Sequence, residues 1–393
     1  MCCSAKFQPA VPACRSRMLV ILATDTVGGA ETQTQVLLQG LSTRFEIVLL
    51  THRAVQPLFC DRDLGVVCFE ERGLHNPFDY RWRNLLRYAQ AIAEVAHRVK
   101  ADLIYAVMHN ASLFLAIARW RHAYRLGSRR LIGSLHGSLS SYFAQQERQP
   151  NWIERLLIQV VLKTLPVIVI PSQRLAKELV QDFGARVGQV YPIYNGVDLE
   201  QICQRSLEIL PTLKQEPWIA TCCRLSKEKD FLTLLRAFAG LVDYPTARLI
   251  IVGEGSLRDQ IGVWASELGI SGRVHLTGFE SNPFRWMRQA DIFVLSSFSE
   301  GFGNVIIEAM ALGIPVVASD CPWGPAEIIE PGTSGELFPV ADAEALVRTL
   351  RRLLAHPDER ERLAHGARER APTFSARNMV ENYRALFQQV LRG

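Results

Sequence analysis

Residues 299–320 read SEGFGNVIIEAMALGIPVVASD. An apolar run, 292–295, precedes them and ends near Ser296; Gly301 and Gly303 make a loop, a helix is expected from Asn304 to Gly313, and Pro315 opens the next apolar run. Strand, glycine loop, helix and strand in close succession form a parallel crossover unit. Its two carboxylates differ in place: Glu300 sits in the loop, and Glu308 lies just over one turn inside the helix, so both face one cleft at different depths. The backbone amides around Gly303, Asn304 and Val305 are then open to anionic oxygens, and the carboxylates can accept hydrogen bonds from hydroxyls on either side. A plainer alternative makes Glu300 an acid favoured by the helix dipole and Glu308 a surface residue, but Glu308 stands between Ile307 and Ala309 in an otherwise apolar helix.

The same alternation continues on both sides. Strand candidates occupy 18–23, 45–51, 66–69, 103–107, 131–135, 167–170 and 189–193, and then 218–222, 248–252, 274–277, 292–295 and 315–318. These runs are continuously apolar, which fits strands buried on both faces, and helical patterns separate them, which fits parallel sheets with right-handed crossovers. The expected class is α/β: two Rossmann-like, doubly wound parallel-sheet domains facing across a cleft. A leader, 1–17, lacks a continuous apolar core and is expected to be disordered. An N-terminal domain follows at 18–195, a second domain at 196–372 and a last helical segment at 373–393. The turn-rich Pro192–Asp198 marks the boundary.

Ligands of doubly wound sheets bind at the carboxyl ends of the strands. After the first strand, Gly28 and Gly29 let amides approach an anion, although a plain tight turn reads the same way. The fifth strand ends at His136, placed to donate to a developing charge or a sugar hydroxyl or, alternatively, to serve structure alone. His109, after the fourth strand, is a weaker candidate. Arg224 and Lys229 flank a strand-to-helix loop where a guanidinium fork and an ammonium could hold a diphosphate; a solvated charge cluster is the alternative. Gly253 and Phe279 stand at further strand ends, consistent with a nucleotide lying along the cleft. Asp61–Arg62–Asp63 has the spacing of a metal-binding pair, but its charged loop makes no metal the expectation.

Composition narrows the setting. Of 393 residues, 48% are hydrophobic and 21% charged, ordinary globular usage. Nine Cys without a C-x-x-C pair support neither a disulfide scaffold nor a zinc ribbon and point to a reducing cytoplasm. No run is long enough to span a membrane. Residues 1–200 hold 23 Lys and Arg against 16 Asp and Glu, and Arg81–Arg130 holds ten cations against two acids, with Trp120 and Tyr124 interleaved. That face suits an anionic membrane surface; the alternative is a solvated face, and no recognition motif points to nucleic acid.

Taken together, Gly28–Gly29–Ala30–Glu31, the His136 strand end, Asn195–Gly196–Val197–Asp198, Arg224 with Lys229, Gly253–Glu254–Gly255, and Glu300 with Glu308 resemble the retaining GT-B glycosyltransferases of family 4, over essentially Met18 to Leu391. These include capsule, exopolysaccharide and lipid-linked-oligosaccharide transferases. The resemblance implies an acceptor-side domain at 18–195, a nucleotide-sugar donor domain at 196–372 and a helix at 373–393 that crosses back to the first domain; it also implies that Arg224 and Lys229 hold the donor diphosphate, Glu308 the ribose hydroxyls, Glu300 the transferred sugar, and His136 the sugar or leaving-group region. The stretch Asp320–Glu327, DCPWGPAE, looks like that of members using UDP-sugars. The implied reaction moves a hexose or N-acetylhexosamine to a glycan or polyprenyl-diphosphate-linked acceptor without cofactor or metal, in the cytoplasm or peripherally on the cytoplasmic face of a membrane. A sugar-nucleotide epimerase or hydrolase, or a non-catalytic nucleotide-sugar-binding subunit, are the rival readings.

Overall fold

The computed structural model describes residues 15–26, 28–59, 64–140, 149–210, 214 and 216–392. The leader as far as residue 14 and the Asp61–Arg62–Asp63 stretch lie outside the described residues. Among the described residues, thirteen strands form two sheets. The first has seven strands in the order β3-β2-β1-β4-β5-β6-β7, and the second has six in the order β10-β9-β8-β11-β12-β13. Their ranges are β1 Ser16–Leu22, β2 Phe45–Thr51, β3 Gly65–Cys68, β4 Leu103–Val107, β5 Arg130–Ser134, β6 Val167–Ile170 and β7 Val190–Pro192, then β8 Trp218–Cys222, β9 Arg248–Val252, β10 Val274–Gly278, β11 Ile292–Leu295, β12 Val316–Ser319 and β13 Glu336–Phe338. The described strand pairs are parallel, with helices in the connections.

The expected α/β class with two Rossmann-like parallel sheets is therefore observed, with two local differences. β1 starts at Ser16, inside the expected leader, because Arg17 N–H donates to Asp102 Oδ2 and its guanidinium pairs with Glu46. β13 was not anticipated: three residues beside a turn carry too little apolar pattern to register.

Alternating residues explain the layering of the second sheet. Ala220, Ile250, Val252, Phe293 and Leu295 pack on one face with Ile306 and Met310 of the helix Asn304–Ala311. Ile219, Leu249, Ile251 and Val294 pack on the other with Leu234, Phe238 and Leu346. Both faces are covered, so β8, β9 and β11 are apolar along most of their length, Thr221 and the leading Arg248 excepted. In each sheet the strand order reverses beside the strand that comes first in the chain, between β1 and β4 and between β8 and β11. Such reversals open a crevice at the carboxyl ends of the strands.

Contacts divide the chain into two compact units. One runs through Gly133 and takes in the C-terminal residues from Leu386; the other spans Ser134–Ala385. The first is closed by the last helix, Ala376–Arg392, whose Phe387 is fully buried with its ring 6.2 Å from that of Phe45 and 5.4 Å from that of Tyr105. No described helix is long and apolar enough to cross a membrane.

Removing that ring should leave a cavity in the first unit. Phe387→Ala is expected to lower stability by about 3–5 kcal/mol, and Phe387→Leu by distinctly less, in urea unfolding followed by circular dichroism. Equal midpoints for the two variants and the parent would show that Phe387 does not anchor the unit.

Candidate functional site

The second unit brings most of the expected residues to the reversal of its six-stranded sheet. Two loops define the place, one after β8 and one after β11. In the first, Asp230 adopts the left-handed conformation (φ 47°), and its side chain caps the helix Phe231–Ala239 by accepting from Thr233 N–H. That turn delivers Lys229 inward. Its Nζ lies 2.7 Å from Glu300 Oε1, and the two side chains are only 15% and 10% exposed. Ser297 Oγ donates to the same carboxylate oxygen at 2.6 Å. The loops are also stitched through their backbones: Ser296 Oγ donates to the carbonyls of Lys229 and Asp230, and Phe298 N–H donates to Glu228 O.

Burial works against a charge on Lys229, yet the adjacent Glu300 carboxylate holds its pKa above the ordinary value. Lys229 thus stays cationic in a desolvated place, with two further N–H donors on the ammonium. Cys223 and Cys321 are close enough to feel the pair, and burial pushes their thiols up to about 11 and about 12, so both line it as neutral groups. Arg224 is different. Its side chain is 76% exposed and contacts Glu228 at 3.3 Å, so it reaches into solvent.

Gly303 takes a positive φ of 96° and begins the helix Asn304–Ala311 without a side-chain cap, which leaves the first-turn amides of Asn304 and Val305 for another acceptor. Asn304 Oδ1 accepts from Asn195 Nδ2 at 3.1 Å, drawing the turn-rich Asn195–Asp198 segment to the site. On this helix Glu308 is pushed up to about 7 by burial. It also raises the Cys222 thiol, which is itself buried first of all.

His136 reaches the same unit from beyond β5. Ser134 Oγ lies 3.1 Å from its Nε2, and burial lowers its pKa to about 4, so at neutral pH the imidazole acts as a neutral hydrogen-bonding group. A Cβ on Gly301 would stand 2.3 Å from His136 O, so the loop that carries Glu300 runs directly against the His136 backbone.

Other candidates sit differently. Gly253 packs on the β8 loop, where a Cβ would meet Cys223 O, and this close approach gives it a packing role. Phe279 is 80% exposed after β10. Gly28 and Gly29 belong to the first unit, and there the buried Glu31 folds its carboxylate over Gly28, so the helix Gly29–Leu41 carries its own acid at its first turn. His109, also in the first unit, lies 3.2 Å from Tyr80 through Nε2, and burial lowers its pKa. Sequence reading missed Ser297, Glu228 and Asn195 as partners. The short spacings of Ser297 to Glu300 and of Arg224 to Glu228 are local signals that could have shown these pairs. Among the described residues no cluster of three or more His, Cys, Asp or Glu could hold a metal ion.

Two families match the chain: Glycosyltransferase Family 4 over residues 27–201 and Glycosyl transferases group 1 over residues 205–370. Among similar curated proteins is the Campylobacter jejuni N-acetylgalactosamine-N,N'-diacetylbacillosaminyl-diphospho-undecaprenol 4-alpha-N-acetylgalactosaminyltransferase, 31% identical over 56% of this chain and 60% of its own length. The chain thus spans less than two thirds of that relative. Another is the Bacillus anthracis N-acetyl-alpha-D-glucosaminyl L-malate synthase, 26% identical over 78% of this chain and 80% of its own. Among solved structures, Anabaena HepE in complex with UDP and glucose superposes with a TM-score of 0.77 at 22% identity, covering 95% of this chain and 100% of its own, a likeness of fold.

Breaking the buried pair from one side should cost more than removing it whole. Glu300→Ala leaves the Lys229 ammonium without its anion and is expected to destabilise by about 3–5 kcal/mol, whereas Lys229→Met combined with Glu300→Gln should recover much of that loss. Additive losses in a double-mutant cycle of denaturant midpoints would mean that the two groups do not interact.

Proposed function

Because this chain belongs to the group 1 and family 4 glycosyltransferases, we propose that it moves a hexose or N-acetylhexosamine from a UDP-sugar to a hydroxyl of a lipid-linked glycan acceptor, with retention of configuration and without a metal. The reading rests above all on one juxtaposition: the Lys229–Glu300 pair, the uncapped amides after Gly303 and the isolated Glu308 share one sheet reversal. A diphosphate would take Arg224, a free N–H of Lys229 and the helix amides; these donors are aimed where charge builds as the sugar leaves. Glu300 offers its other oxygen to the sugar, Glu308 accepts from the ribose hydroxyls, and neutral His136 donates on the reacting side. The UDP bound to HepE and the undecaprenol-diphosphate in the Campylobacter relative's name favour the donor and acceptor classes chosen.

UDP should raise the unfolding temperature of the protein by mass action. Arg224→Ala and Lys229→Ala should each weaken UDP binding by roughly 10- to 100-fold, the worth of a charge-assisted contact of about 1.5–3 kcal/mol. Unchanged affinity in both would overturn the diphosphate assignment. Rapid UDP-sugar hydrolysis that no acceptor suppresses would favour the hydrolase reading.

Glu308 gives the reading a pH signature. Its folded pKa is raised from 4.5 to about 7, and ribose hydroxyls bind the ionised form. UDP binding should therefore release a proton near pH 6–7 and weaken as pH falls through 7. Calorimetry in buffers of different ionisation enthalpy reads that proton, and Glu308→Gln should abolish it. The sign for stability is opposite to that of a salt-bridged acid: the buried charge opposes folding fully above pH 7 and not at all below about 4.5. Glu308→Gln should thus be more stable than the parent at pH 8 while binding UDP less well, and a variant no more stable at pH 8 would remove the burial argument.

A lipid-linked acceptor needs a surface, and the first unit offers Trp120 (69% exposed) and Tyr124 (74% exposed) beside exposed Arg121. Neighbouring Arg119 and Arg125 are partly committed, to Gly127 O and Glu94. The protein should sediment with phosphatidylglycerol vesicles at low salt and be released at high salt, and the pair Trp120→Ser and Arg121→Glu should lose that binding. Equal binding to neutral vesicles would discard the electrostatic part.

A further inference from the structure

The helix Gln173–Gln181 is fastened at both ends of its inner side by carboxylates, one arriving from far along the chain and one its own. At its start, Glu327 accepts from Ser172 Oγ, from Gln173 N–H at 2.8 Å and from Arg174 N–H at 3.0 Å, while Ser172 Oγ accepts from Leu175 N–H at 3.1 Å. The first-turn amides of that helix are thus satisfied by a residue 155 positions removed and by the cap itself. Further along, Glu178 points to the segment that follows His136. Its Oε1 accepts from Ser138 Oγ at 3.0 Å and from Ser140 N–H at 2.9 Å, and its Oε2 is buried without a partner.

Glu327 is itself held on the donor side. Arg370 donates to Glu327 O at 2.9 Å. Three residues before it, Gly324 lies so close to the donor loop that a Cβ would stand 2.0 Å from Phe302 O, and that loop's Gly301 in turn abuts His136 O. The contacts close a ring: donor loop, Gly324, Glu327, the helix Gln173–Gln181, Glu178, the His136 segment, and back to the donor loop.

From this ring we propose that Glu178 and Glu327 are positioning residues for His136, holding its ring in one orientation against the loop that carries Glu300. Neither touches the groups assigned to the donor. Glu178 acts on the chain two and four residues beyond His136, and Glu327 acts by fixing the helix from which Glu178 projects. Burial raises the pKa of Glu178, in keeping with a carboxyl enclosed by the segment it holds. An acid is otherwise hard to account for there, since an enclosed carboxyl is costly unless its hydrogen bonds are used. The proposal rests on the donor-site reading of His136, so its test reads the imidazole itself and not turnover.

Protein labelled with [15N]histidine, with the His136 signals assigned by their loss in His136→Ala, reports tautomer and ionisation directly. In the parent, His136 should keep one neutral tautomer and titrate near 4. Glu178→Ala should give a mixture of tautomers and move the titration up toward 6.5. Glu178→Gln, whose amide oxygen can still accept from Ser138 and Ser140, should restore the parental signature, and Glu327→Ala should act in the same direction as Glu178→Ala. Parental tautomer and titration in both alanine variants would overturn the proposal. Should Glu178→Ala not fold, Glu327→Ala and Ser138→Ala decide the matter. UDP protection is read on the same samples: it should persist within about twofold in the positioning variants, and its absence from the parent would remove the donor reading while leaving the His136 comparison decided.

Discussion

Lys229 and Glu300 meet in a place nearly closed to water, and the arrangement of the loops after β8 and β11 follows from that contact. A buried ammonium and a buried carboxylate are each costly alone, so neither loop can shift without stranding the charge of the other. The supporting bonds are consistent with that constraint: Ser297 shares the carboxylate, and Ser296 takes the carbonyls on either side of the Lys229–Asp230 peptide. Asp230 accepts a left-handed backbone to cap the next helix, strain offset by what the turn delivers. Once these loops are joined, the amides after Gly303 and the carboxyl of Glu308 are placed by the helix that begins there.

Close backbone approach is the second constraint, and it extends the first. Gly301 against His136 O and Gly324 against Phe302 O bring three segments to distances that a methyl group would forbid. These contacts transmit position because backbone cannot yield as the tip of a long side chain does. The loop that carries Glu300, the His136 segment and the Asp320–Glu327 stretch therefore share one geometry within the second unit.

Much of this was legible in the sequence where the signal is local. Gly303 and Gly313 bracket a helix in the sequence and in the structure, and strands buried on both faces announce themselves as unbroken apolar runs. Strand β13 escaped because three residues do not make a period, and the start of β1 escaped because Arg17 is kept in the strand by partners at Glu46 and Asp102. The Lys229–Glu300 pair spans 71 positions and the Ser172–Glu327 bond 155, separations at which no spacing rule operates. At the Gly28–Gly29 turn the residues suggested an empty anion site, whereas Glu31, three positions on, lies over it. A glycine turn marks where an anion is able to sit and leaves open whether the chain supplies its own.

The electrostatics around the buried pair then follow from burial. His136 is neutral at physiological pH, Glu308 sits near its midpoint, and Cys223 and Cys321 keep their protons. Fixed charge is confined to the buried pair, with Arg224 and Glu228 nearer to solvent. At first sight Glu300 weakens the proposed site, since it lends a negative charge to the ammonium that the proposed function gives to a diphosphate. Without it, however, desolvation would drive Lys229 toward its neutral form, and a neutral amine contributes far less to a departing phosphate than an ammonium does. The carboxylate is thus the condition for keeping a cation in a dry place, and a dry place is where that cation acts most strongly on developing charge.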